Sequence, residues 1–282
     1  MAIAAKQQTS ENTLKFEHLD APLGIVVQGI NWDEPAADEV RLLNQALRRH
    51  LLVVFRGQPS PSRDQLDKFF GRFGNILLKT FDGSFHYNTF SHDQKMEIHR
   101  RDDGNYIMNT TAGTSELVWH QDQFHRPQLK KISVLEAIDF QEGAAPTYFR
   151  DVYTAYELLP PELRYRLENK QAVALDPKLP SPTEMPRLGD AMHPVFTPHP
   201  DSGRRALCIN EYTWRIAGMQ QTESDKLIKE LLEFIELNAP FYAHQWKSGD
   251  LVAWDNVGLQ HRRPSSGPEY RRAMRVYEGI AE

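Results

Sequence analysis

Cysteine is almost missing from this chain: Cys208 is the only one. An intramolecular disulfide is therefore impossible, and a thiolate metal centre would be very poor, so any metal site has to be built from histidine and carboxylate. The same scarcity fits the reducing cytoplasm. Long apolar runs are missing too. None approaches the roughly 20 residues of a membrane span. The stretch 1–13 carries one lysine and no long apolar core after it, unlike a secretory signal. Basic blocks are also absent and the net charge is -5, which argues against a nucleic-acid partner.

What is present is the composition of an ordinary globular protein, 40% hydrophobic and 25% charged. A length of 282 residues allows one large domain or two small ones, and a single decorated jelly roll fits it. No internal repeat or flexible linker divides the chain. Residues 1–18 are polar and expected to be flexible. A strand is expected over 23–27 and a helix over 36–50, with Val40, Leu43 and Leu47 at helical spacing. The apolar run 51–55 is short enough for a buried strand. Ser60-Pro61-Ser62 then opens a second helix with Leu66, Phe69, Phe70 and Phe73 on one side. Residues 75–118 lack clear periodicity and read either as an active-site lid or as weak edge strands. Beyond them, strands are expected over 132–138, 195–197, 205–209, 251–254 and 271–277. Helices are expected over 152–170, broken at Pro160-Pro161, and over 224–237. Strands with helices to one side indicate an α+β protein around a β-sandwich or barrel.

The chemistry is concentrated at Trp119-His120-Gln121-Asp122, read with Trp254-Asp255-Asn256 and His261. On a strand, His-x-Asp puts an imidazole and a carboxylate on one face. A second imidazole from a distant strand would complete a two-histidine, one-carboxylate face with three positions open. The pattern also occurs at His18/Asp20 and His199/Asp201, and about one occurrence is expected by chance. Context separates the three. His18 lies in a polar stretch, and His199-Pro200-Asp201-Ser202-Gly203 reads as a turn. Only His120 follows an apolar run and precedes a strong strand signal. The bland alternative at this position is a surface histidine and a turn aspartate.

An ordered set of segments from about residue 20 to the end resembles the taurine and chlorophenoxyacetate dioxygenases. It includes Leu23-Gly24 and Val27-x-Gly29, Val53-Val54-Phe55-Arg56-Gly57-Gln58, Trp119-His120-x-Asp122 and Thr147-x-Phe149-x-Asp151. Tyr153-x-Ala155-Tyr156-x-Leu158-Leu159-Pro160, His193-Pro194-Val195 and His199-Pro200-x-Ser202-Gly203 follow. The last are Asn210-x-Tyr212-Thr213-x-Arg215-Ile216-x-Gly218 and Gly249-Asp250-Leu251-x-x-Trp254-Asp255-Asn256, ahead of His261.

The resemblance implies an α+β fold with a double-stranded β-helix (jelly roll) core and flanking helices, forming a single domain over 1–282. It implies Fe(II) held by His120, Asp122 and His261, with 2-oxoglutarate and O2 as co-substrates. Thr147 matches a threonine that bonds the distal carboxylate of 2-oxoglutarate, and Arg271 the arginine that pairs with it. Arg275 matches a second arginine that touches co-substrate or substrate. The arginine register is ambiguous by one, so Arg272 competes with Arg271 for that role. A buried dicarboxylate favours arginine, whose planar fork binds carboxylate bidentately; the plain alternative is a solvated edge strand.

Two departures stand out. Ala144-Ala145-Pro146 replaces the family's Gly-Gly-Asp, which stiffens the loop before Thr147, and the C-terminal strand is one residue short. His125 and Trp214 are candidate substrate contacts. Tyr212 and Trp214, beside Arg215, would line either a pocket or an oligomer contact. The carboxylate of Asp122 disfavours halogen transfer. The implied reaction is oxidation of an unactivated C–H in a small acidic or amino-acid-derived molecule, with release of succinate and CO2. Hydroxylation is the default; desaturation, isonitrile formation and heteroatom cleavage are the branches. A non-catalytic metal-binding barrel and a zinc hydrolase are readings from other classes. A homo-oligomer is compatible with the resemblance.

Overall fold

The computed structural model describes residues 14–70, 76–77, 87–90, 97–100, 106–109, 116–127, 129–174, 191–265, 272–278 and 280–281. In chain order come β1 (Lys15–His18), β2 (Ile25–Gln28), α1 (Ala37–His50), β3 (Leu52–Phe55), α2 (Arg63–Phe70), β4 (Ile76–Leu77), β5 (Tyr87–Phe90), β6 (Glu97–Arg100) and β7 (Tyr106–Asn109). They are followed by β8 (Leu117–His120), β9 (Ile132–Phe140), β10 (Thr147–Asp151), α3 (Val152–Leu158), α4 (Pro161–Leu167), β11 (Gln171–Ala174), β12 (Met192–Pro194), β13 (Phe196–Pro198), β14 (Arg205–Leu207) and β15 (Thr213–Ile216). The chain closes with α5 (Gln221–Asn238), β16 (Phe241–His244), β17 (Leu251–Asp255), β18 (Leu259–Arg263), β19 (Arg272–Glu278) and β20 (Ile280–Ala281). No helix among the described residues is long and apolar enough to cross a membrane.

Helices and mixed sheets make this an α+β architecture. The larger sheet runs β1-β2-β3-β17-β9-β19-β5 and the smaller β16-β10-β18-β8. Strand alternation divides the core. On β17, Leu251 and Ala253 join Val53, Phe55, Ile132 and Val134 under Val40, Leu43 and Leu47 of α1 and Leu66 and Phe69 of α2. The alternate residues Val252 and Trp254 join Phe149 and Leu259 of the smaller sheet, with Ala137 and Met274. One face of the larger sheet is thus covered by helices and the other meets the smaller sheet. Full burial of Trp254 and Phe149 stabilises this second layer by roughly 2–3 kcal/mol each.

Capping chemistry sets several boundaries. Gln65 N–H donates to the Ser62 hydroxyl (3.3 Å) and Ser62 N–H to the Gln65 side chain (2.6 Å), a reciprocal cap that starts α2. Asp151 caps α3 by accepting from Tyr153 N–H (2.9 Å) and Thr154 N–H (3.1 Å). Pro161 opens α4 at a position where its missing N–H costs nothing, so the break at Pro160-Pro161 follows.

Two expectations are corrected. Residues 15–18 are not frayed: β1 pairs antiparallel with β2, Lys15 against Gln28 through His18 against Ile25. All four β1 residues are exposed, which hides this edge strand from any hydrophobic pattern. The strand expected over 205–209 ends at Leu207. Of the two readings of 75–118, the described parts match the weak strands: they are β4 to β7 and the start of β8. Phe73 and the side chain of Phe70 lie outside the described residues.

Candidate metal centre

Antiparallel pairing in the smaller sheet brings the two distant histidines together. β18 runs between β10 and β8, and His261 stands directly opposite His120 on one side and Phe149 on the other. The His120 and His261 ring centroids are 4.2 Å apart. Asp122 does not reach this point by strand alternation, as the sequence suggested. β8 ends at His120, and Asp122 lies in the following turn, where Gln123 adopts a φ of 57°.

Buried ties hold that turn. The Gln121 amide donates to Val257 O (2.9 Å) and accepts from the Asn210 amide (3.3 Å). Asn256, wholly buried, accepts from Asp122 N–H (2.8 Å) and donates to Asp122 O and Lys130 O (3.1 Å each). Asp255 accepts from the N–H groups of Val257 and Gly258 and from the Tyr153 hydroxyl (2.8 Å), which shapes the turn leading into β18.

The donor atoms converge. His120 Nδ1 lies 2.7 Å from Val118 O, and since a carbonyl only accepts, Nδ1 carries the proton and Nε2 the lone pair. Nε2 is 3.9 Å from Asp122 Oδ1, and His261 Nε2 is 3.6 Å from the same oxygen. Two metal–ligand bonds of about 2.1 Å span at most about 4.2 Å, so both separations are within reach of one cation. Burial alone would raise the Asp122 carboxyl; the nearby His261, Lys130 and His120 instead hold it at about 2. Burial, reinforced by His120, pushes His261 down to about 3 against the pull of Asp122. At neutral pH the carboxylate is ionised and the His261 imidazole neutral, the states in which both act as ligands. Among the described residues these three form a group able to hold a metal ion.

The other candidates fall in different places. Thr147 is buried and accepts a hydrogen bond from Trp246 Nε1 (2.9 Å). It shares strand parity with Phe149, the ladder partner of His261, so it is a diagonal cross-strand neighbour of that histidine. His125 lies in the turn that carries Asp122 and is half-buried. Trp214 sits on β15 with the Arg215 guanidinium 5.0 Å from its ring. Tyr212 lies beside His120, with ring centroids 5.7 Å apart, while Trp254 and Phe149 flank His261 at 5.0 and 6.1 Å. Arg271 and the side chain of Arg275 lie outside the described residues.

The sequence reading passed over Arg263. It lies two residues beyond His261, hence on the same face of β18, and is buried, with its guanidinium pushed down to about 10 by that burial. Strand parity counted from His261 would have found it.

Comparison with known proteins places the chain in a family. The family model described as "Taurine catabolism dioxygenase TauD, TfdA family" matches residues 15–277. Pentalenolactone F synthase of Streptomyces avermitilis is 32% identical over 278 residues, covering 90% of this chain and 89% of that protein. The alpha-ketoglutarate-dependent 2,4-dichlorophenoxyacetate dioxygenase of Cupriavidus pinatubonensis is 29% identical over 257 residues, covering 84% and 87%. The crystal structure of AAD-2 in complex with Mn(II) and N-oxalylglycine superposes with a TM-score of 0.74 at 23% identity, covering 96% of this chain and 98% of that one, which is a likeness of fold. The chain belongs to the TauD/TfdA dioxygenase family and is an Fe(II)- and 2-oxoglutarate-dependent dioxygenase.

Proposed function

We propose that this protein oxidises an unactivated C–H of a small acidic or amino-acid-derived molecule, with hydroxylation as the outcome. The observation that carries the reading is the convergence of His120 Nε2, Asp122 Oδ1 and His261 Nε2. The donor set fits Fe(II): two imidazoles and one carboxylate, with Asp122 ionised and His261 neutral at neutral pH, and with the rest of the coordination sphere left to co-substrate and O2. When bound, iron supplies activation of O2 coupled to the oxidative decarboxylation of 2-oxoglutarate to succinate and CO2.

The chain's own groups position and exclude water. Thr147 is the proposed hydroxyl contact for the distal carboxylate of 2-oxoglutarate. The partnering arginine comes from β19, and strand parity favours position 272 over 275. Position 272 shares parity with Met274, which is buried between the two sheets, whereas 275 pairs across the ladder with Glu136. Tyr212, beside His120, is better placed than Trp214 to line the substrate space. Arg263, buried on the face that carries His261, supports a substrate with an acidic group. Of the two relatives described above, one is named for an aryloxyacetic acid. The two sheets are the proposed walls of a double-stranded β-helix forming a single domain. Cytoplasmic operation on a small molecule, without nucleic acid or membrane, belongs to the same proposal.

The test is anaerobic addition of Fe(II) and 2-oxoglutarate, followed by succinate release across amino acids, their N-substituted derivatives, sulfonates and aryloxyacids. A visible charge-transfer band that is lost in His261→Ala, together with succinate release stimulated by an acidic substrate, is expected. A band that persists in His261→Ala refutes the ligand set. Stimulation only by uncharged compounds refutes the substrate class.

A further inference from the structure

We infer that Trp246 is a positioning residue for 2-oxoglutarate, acting by fixing which way the Thr147 hydroxyl points. The inference rests on the reading of Thr147 as a contact for the distal carboxylate. The geometry is a buried hydrogen bond of 2.9 Å from Trp246 Nε1 to Thr147 Oγ1. An indole N–H only donates, while a hydroxyl has one proton to give and two lone pairs to accept with. With the indole on one lone pair, the Thr147 proton is directed away from Trp246. A carboxylate is an acceptor only, so the chain N–H to O–H to carboxylate has one consistent polarity. Each bond in such a chain polarises the next.

The indole is itself held. The His244 ring meets it edge-on at 4.5 Å, and Phe140 lies 6.4 Å away. His244 is the ladder partner of Thr147. It contacts Asp250 Oδ2 (3.2 Å) and the Tyr242 hydroxyl (3.1 Å), and Asp250 receives both Nε (2.7 Å) and Nη2 (2.5 Å) of Arg56. A buried ionic cluster thus locks the group that orients the hydroxyl. Without the N–H, the hydroxyl loses the donor that orients it, and a lone pair turned toward the carboxylate repels it.

Two variants test this, Trp246→Phe and replacement of Trp246 by benzothienylalanine, which keeps the indole shape and lacks the N–H. Calorimetric titration of Mn(II)-loaded protein compares 2-oxoglutarate with 2-oxobutyrate, a 2-oxo acid without a distal carboxylate. The expected result is a roughly five- to tenfold higher Kd for 2-oxoglutarate with the Kd for 2-oxobutyrate unchanged. In a Thr147→Val background the same replacement adds nothing further. Equal weakening of both ligands, weakening of neither, or an additive loss on Thr147→Val overturns the inference. If Thr147→Val alone binds 2-oxoglutarate as tightly as the parent, the Thr147 reading falls and the inference falls with it. If Thr147→Val binds weakly while benzothienylalanine at 246 is neutral, only the role of Trp246 falls.

Discussion

Replacement of Asn256 by alanine detaches Asp122 from the fold without touching a metal-binding atom. The Asn256 side chain is wholly buried and serves three backbone groups: Asp122 N–H, Asp122 C=O and Lys130 C=O. The orientation of the amide is set by these partners, since the N–H needs Oδ1 and the two carbonyls need Nδ2. Alanine leaves all three unserved. Each buried unsatisfied group costs about 1–3 kcal/mol, and a water entering the vacated space recovers part of that. The net loss is about 3–5 kcal/mol, or a fall in Tm of roughly 6–15 °C. The turn bearing Asp122 then loses its tie to the segment before β18, and metal affinity is expected to drop about 10- to 100-fold, as for other groups that orient a ligand from behind. Urea unfolding gives the first quantity and Co(II) titration against a competing chelator the second. Asn256→Asp separates shape from chemistry: it fills the same volume but sets a carboxylate against two carbonyls, so it should be at least as damaging. An Asn256→Ala protein with an unchanged urea midpoint and unchanged Co(II) affinity would refute the claim that this amide holds Asp122.

Two further outcomes follow from the same neighbourhood. A Cβ on Gly258 would lie 2.0 Å from Cε2 of Tyr153, a ring fixed by its hydroxyl bond to Asp255. Gly258→Ala should therefore destabilise by about 3 kcal/mol or more, and an unchanged urea midpoint would show that the ring can move aside. Burial lowers the proton affinity of His193, His199 and His244 below the ordinary 6.5. Each then binds fewer protons folded than unfolded once the pH drops below that value, so stability rises with pH. The stabilisation is complete above pH 6.5 and is lost as pH falls toward the depressed folded values, by up to about 1.4 kcal/mol per histidine per pH unit. A urea midpoint that stays flat from pH 7.5 to 5.5 would contradict it.

Much of the candidate site was legible in the sequence because the proposed ligands are rare residue types in an ordered context. His120, Asp122 and His261 could be named before any coordinate was known. The reason given for their convergence was only half right. The alternation rule fails at Gln121, whose buried amide reaches Val257 and Asn210 and turns the chain out of β8. Ties of this kind run from side chain to backbone. The backbone partner leaves no mark in the sequence, so Asn256 stood in a recognised tripeptide with no readable task. β1 escaped notice for a different reason: Lys15, Phe16, Glu17 and His18 are all exposed, and backbone pairing with β2 holds them in the sheet. Helices were easier, because Pro161 and the apolar spacing of α1 act locally.

Residues that do not face the candidate metal centre also fix the placement of its side chains. A strand shifted by one residue presents its opposite face, and such a slip of β18 would put Arg262 where His261 belongs. The ladder itself guards weakly against this, since the β8–β18 register is irregular just past His261, with Arg263 opposite Leu117. The reverse face guards better. There the Arg262 guanidinium lies 4.9 Å from the Trp119 ring and 5.0 Å from that of Tyr148, and Arg150 lies 4.3 Å from Trp119. Arg150 is further bound to Gln260 (2.7 and 2.9 Å) and Glu236 (2.8 Å). Each cation–π contact contributes about 0.5–2 kcal/mol according to its desolvation, so the two made by Arg262 hold the register of β18 by about 1–4 kcal/mol. Trp119 and Arg262 adjoin His120 and His261 in sequence, so stacking on one side of the sheet sets the imidazoles opposite each other on the other. The site's accuracy is therefore a property of strand pairing, and substitutions on the reverse face belong to its chemistry as much as those around the ligands.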